Sequence, residues 1–68
     1  MQKRGIKLNR LTVLNELARQ YMTQGDMAAA AGISRATVNA VTRGATCSLD
    51  TAEKIAAALG MQSYKELL

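Results

Sequence analysis

A chain of 68 residues with no proline, no phenylalanine, no tryptophan and only two tyrosines is a single, helix-favouring domain whose core must be built from Leu, Ile, Val, Met and Ala. The formal net charge is +4, and the excess sits at the front, where Lys3, Arg4, Lys7, Arg10 and Arg19 face only Glu16 across residues 1–24. There is no histidine, and the single cysteine, Cys47, has no partner for a disulfide or a metal site, so no catalytic residues, cofactor or metal are expected and the chain does not read as an enzyme.

No apolar run approaches the ~20 residues of a membrane span. No basic start, apolar run and cleavage site form a secretory signal. With an unpaired cysteine, this reading places the chain in the cytoplasm. The positive front favours a polyanionic partner, because binding one releases its condensed counterions.

Residues 1–8, MQKRGIKL, carry three basic groups and no sustained period, and are expected to form a flexible basic arm. Such an arm either contacts phosphates or a minor groove, or is a solvated terminus. Residues 9–68 form the domain proper. Asn9 is placed to cap a first helix over about Arg10–Gln20. Leu11, Leu14, Leu17 and Ala18 share one face of it, widened by Val13 and Tyr21.

Thr23 caps a second helix, about Gln24–Ala31, with Met27, Ala28 and Ala31 on its inner face. Asp26 suits the positive end of that helix. Gly32 ends it, because glycine takes a left-handed conformation at little steric cost. Ser34 then caps a third helix, about Arg35–Thr42, with Val38 and Val41 turned inward. Ala28 keeps the two helices close; a bulkier residue would hold them apart.

If Val38 and Val41 face the core, Arg35, Ala36, Asn39, Ala40 and Arg43 share the outward surface. Arginine pairs in bidentate fashion with guanine, and asparagine with adenine. Arg35 and Asn39 are therefore candidates for reading bases, with a phosphate contact as the other reading of Arg35. Ala36 and Ala40 are short enough to meet thymine methyls or to leave room for a groove wall. Thr37 either meets a phosphate or half-buries against the second helix.

Gly44 opens a loop, GATCS, in which Cys47 is expected to be half-buried. Ser48 caps a fourth helix, about Leu49–Leu59, with Ala52, Ile55, Ala56 and Leu59 as its core face. Ser63 and Glu66 are spaced as a capping box for a short fifth helix.

The ordered set Thr23-Gln24, Ala28, Gly32-Ile33-Ser34-Arg35, Thr37-Val38 and Gly44 resembles the Cro and lambda-repressor type of helix-turn-helix family. The resemblance continues through Leu49, Ile55, Ala56 and Leu59-Gly60-Met61 to Leu67. It implies an all-α, five-helix, lambda-repressor-like DNA-binding domain, with the helix-turn-helix at about 23–43. It departs in the first helix, which lacks the usual central arginine and has Tyr21 where a glycine is common.

The resemblance further implies that Gln24 donates to a DNA phosphate, and that Arg43, Ala45 and Thr46 lie along the DNA backbone. Met61, Tyr64, Leu67 and Leu68 would then form a two-fold homodimer contact, or else only close the monomer's core. The implied function is a sequence-specific regulator of transcription bound to double-stranded DNA, most simply a repressor of phage or mobile-element type. The other reading is an antitoxin, which binds both its operator and a toxin protein.

Overall fold

The computed structural model describes residues 5–68, and residues 1–4 lie outside the described residues. The chain forms four α-helices: α1 (Arg10–Arg19), α2 (Gln24–Ala31), α3 (Arg35–Thr42) and α4 (Leu49–Ala58). In place of a fifth α-helix there is one 3-10 turn, Tyr64–Leu67. The expected box there also differs. Ser63 Oγ accepts from Lys65 N, while Glu66 reaches past Ser63 to accept from Gln62 N. Its two caps therefore act on neighbouring residues and support a single tight turn.

Each α-helix begins at a side-chain cap. Asn9 Oδ1 accepts from the amides of Leu11 and Thr12. Ser34 and Ser48 accept from Thr37 N and Thr51 N, at 3.1 Å each. These caps satisfy amides that have no partner inside the helix, typically worth about 1 kcal/mol apiece.

Leu8, Val13, Leu17, Met27, Ala28, Val38, Val41, Ala52, Ile55, Ala56, Leu59 and Leu67 make one continuous core. As the composition requires, no aromatic ring is among its buried members. The face of α1 is not the one expected. Val13 and Leu17 are buried and Leu14 packs beside them, but Leu11 is 60% exposed and Ala18 also faces solvent. Tyr21 does not widen that face: it is 94% exposed, in a left-handed conformation with φ 57°. It occupies the place where a glycine is common, and performs the glycine's backbone task.

The front of the chain is tied down more firmly than a free arm would be. Ile6 and Cys47 form an antiparallel bridge, with amide–carbonyl bonds of 2.7 and 2.8 Å. Leu8 is buried in the core, and Asn9 N donates to Leu67 O at 2.6 Å. The expectation of a flexible arm over residues 1–8 thus fails for residues 5–8; its remainder, with Lys3 and Arg4, falls outside the described residues. Gly5 lies so close to Thr46 that a Cβ on it would collide with the Thr46 side chain. Among the described residues, no helix is long and apolar enough to cross a membrane.

Candidate nucleic-acid interface

The turn between α2 and α3 is set by Gly32, at φ 70° and ψ 33°. Ile33 N donates to Ala28 O and Gly32 N to Ala29 O, which closes the end of α2. Ala28 is buried in the core. Val38, Val41 and Thr42 form the inner side of α3, and the Thr42 hydroxyl donates to Asn39 O at 2.9 Å. Packing on one side leaves the opposite side of α3 to solvent.

That outer side carries Arg35, Ala36, Asn39 and Arg43, all exposed, with Ala40 half-buried at its edge. Arg35, Asn39 and Arg43 follow one another at four-residue spacing and so form a single row. No described carboxylate lies within ion-pair distance of Arg35 or Arg43. Glu16 is paired with Arg19, Asp50 with Lys54, and Asp26 is taken up at the start of α2. Thr37 is half-buried, and its hydroxyl lies 2.8 Å from Ser34 Oγ, so its hydrogen bond is made locally.

The start of α2 sits beside the start of α3. A Cβ on Gly25 would lie 3.8 Å from Arg35 Cζ and 3.9 Å from its Nη1. The guanidinium thus rests beside the first turn of α2, at a distance that would be ordinary contact even for a side chain at Gly25. Gln24, half-buried in that turn, makes no side-chain hydrogen bond among the described residues. A free amide, a guanidinium and the positive end of a helix thus meet in one place, an arrangement suited to an anion.

Thr23 and Asp26 fix this turn reciprocally. Asp26 N donates to Thr23 Oγ1 at 3.0 Å, and Thr23 N donates to Asp26 Oδ2 at 2.9 Å. Asp26 is thus more than a charge suited to the helix end, and the box is legible in the sequence as threonine followed three residues later by an acid. Donation from the Thr23 backbone, then from its side chain, holds the Asp26 carboxyl below the usual carboxylate range.

Beyond α3, Thr46 is exposed and packed on Gly5, and Ala45 is exposed. Cys47 is half-buried, and burial pushes its thiol up from the ordinary value. Two further cations, Lys7 from the expected basic arm and Arg10, also face this end of α3. Both approach Gly44 from the front of the chain. Their charge was visible, but nothing local connected them to a glycine more than thirty residues away.

One expected contact is withdrawn. Leu67 is 0% exposed and belongs to the monomer's core, so it is not available to a second subunit. Met61 and Tyr64 are half-buried against the same core, while Leu68 is 59% exposed.

The family model of the helix-turn-helix matches residues 14–67, which includes all of α2, α3, α4 and the final turn. The chain belongs to the Cro and lambda-repressor type of helix-turn-helix family. Searches of curated proteins and of solved structures return no match. Membership gives this helix-turn-helix protein the character of a DNA-binding transcription regulator. Its α3 is the counterpart of the helix that enters the major groove in such proteins.

Proposed function

We propose that the protein is a sequence-specific repressor of phage or mobile-element type, acting in the cytoplasm by occupying an operator and blocking polymerase. The observation that carries this reading is the exposed row Arg35, Asn39 and Arg43 on α3, which no described carboxylate neutralises.

Arg35 and Asn39 read base edges, while Ala36 and Ala40 let the helix approach the groove floor. Gln24, at the start of α2, takes a backbone phosphate. Arg43 and Thr46 take phosphates at the far end of α3, while Thr37 supports the start of that helix through Ser34. The resting position of Arg35 over Gly25 is compatible with both of its readings: the guanidinium either stays with the phosphate at α2 or swings into the groove. A homodimer that includes Leu68 in its contact would set two copies of α3 about one helical turn apart on the duplex.

The test is selection of bound sites from random duplex DNA, followed by competition binding with variants. Arg35→Ala should lose about 1–3 kcal/mol of discrimination at one base position. Gln24→Ala should weaken all sites about equally. If both variants bind every sequence as the parent does, the assignment of α3 to the groove is wrong.

A further inference from the structure

Lys7, Arg10 and Arg43 come from three different segments: the strand-like front, the first residue of α1 and the residue closing α3. They line one open cleft of about 410 Å³, whose other walls include Asn9, Gly44 and Leu68. Gly44 forms the floor. A Cβ there would lie 3.8 Å from Arg10 Cδ and 4.0 Å from Lys7 Cε, so the two stems converge over the same point. No described carboxylate pairs with any of the three cations.

Part of this arrangement has a structural reason within the fold, and part has none. Arg43 stands at the negative end of α3, where a cation is favoured. Arg10 stands at the positive end of α1, where a cation is disfavoured, and the first turn of α1 holds no acid to offset it. Lys7 is exposed beside it. Like charges drawn together, with no carboxylate of the described residues in an ion pair with them, favour an anion from outside.

We infer that this cleft is a second phosphate clamp, which grips a phosphodiester of the DNA backbone through Lys7, Arg10 and Arg43. The inference rests on the DNA-binding reading of α3. Arg43 is the link, since it ends the same exposed row that begins with Arg35. Eight residues of α-helix separate the two, a rise of about 12 Å. That is comparable with the ~12 Å width of the major groove. A phosphate held at Gln24 and another held in the cleft can therefore lie on opposite sides of the groove that α3 enters. The clamp carries no sequence information; it sets how deeply and at what angle the helix sits.

The experiment measures anisotropy of labelled duplexes across a salt series, using the full chain. Lys7→Gln and Arg10→Gln are compared singly and together with Lys54→Gln, which removes one positive charge from α4. Selected and unrelated duplexes are both used, and inorganic phosphate is titrated separately by NMR. The double variant should weaken both duplexes by the same factor. It should also lower the slope of log affinity against log salt by about 0.9, the loss of one phosphate contact. Lys54→Gln should leave that slope in place. Melting curves of the double variant should not fall below the parent's, because both side chains are exposed and their removal relieves like-charge repulsion and an unfavourable cation at the start of α1.

An unchanged slope and affinity in the double variant would overturn the clamp while leaving the reading of α3 intact. Phosphate binding that is lost in the double variant, with duplex affinity unchanged, would also overturn it and make the cleft a site for a small free anion. Failure of the parent to bind any duplex would remove the reading of α3 first, and the clamp with it.

Discussion

Tyr21 offers the sharpest test of the backbone geometry that aims α2. Its φ of 57° lies in the left-handed region, and it is the only non-glycine described residue there. Its amide donates to Ala18 O at 3.2 Å and Met22 N donates to Leu17 O at 2.8 Å, the pair of bonds that closes a helix through a left-handed residue. A residue with a Cβ costs about 1–2 kcal/mol in that conformation. Glycine avoids this cost but loses about 0.5–1 kcal/mol through the greater freedom of its unfolded chain. The side chain is 94% exposed, so removing it sacrifices almost no buried area. Tyr21→Gly should therefore stabilise the protein by about 0.5–1 kcal/mol. In urea, with m near 1 kcal/mol/M, the midpoint should rise by about 0.5–1 M at constant m. Tyr21→Ala keeps the Cβ and should remain within about 0.5 kcal/mol of the parent. If the alanine variant proves as stable as the glycine variant, the turn does not have this conformation or the tyrosine ring has a contact of its own.

Ala28→Leu forces extra volume between α2 and α3. It should cost about 1–3 kcal/mol in urea unfolding and weaken binding to the selected site even where the variant is fully folded. Leu67→Ala should cost about 2–5 kcal/mol, read as a fall in melting temperature. Leu68→Ala should instead spare the monomer and, if the proposed dimer uses that face, shift its association constant in sedimentation. Asp26 contributes a pH dependence whose sign follows from its lowered pKa. The stabilisation is complete above the unfolded carboxyl value of about 4 and is lost as pH falls through the lower folded value. Asp26→Asn should flatten that part of the acid limb of a stability–pH profile, with Glu16, lowered chiefly by its bond from Arg19, still contributing its own share.

Where local chemistry decides the backbone, the sequence was an adequate guide. Thr23, Gly32, Ser34 and Gly44 punctuate α2 and α3, and both helices have the expected limits. In α1 and α4 the expected last residue, Gln20 or Leu59, is the cap that follows the helix. The face of α1 was harder, because its apolar residues form two overlapping stripes. Leu11, Leu14 and Leu17 make one at three-residue spacing; Val13 and Leu17 make another at four. Only the neighbours choose between them, and they choose the second, with Leu14 at its flank. The Ile6–Cys47 bridge and the cleft around Gly44 were not legible at all. Both depend on segments far apart in the chain, and neither leaves a period or a capping signal. In the site, exposure of Arg35 and Asn39 followed from Val38 and Val41 alone, whereas the resting place of the Arg35 guanidinium beside the first turn of α2 left no mark in the sequence.

The clasp between Ile6 and Cys47 bears on how this domain should be cut. The family match begins at residue 14, yet Leu8 and Val13 lie ahead of that point and fill the interior. A fragment trimmed to the matched span would uncover those apolar neighbours and strand the peptide groups of Cys47 and the carbonyl of Leu67. A fragment meant to fold should therefore keep Ile6 and Leu8, and tags or fusions belong upstream of them.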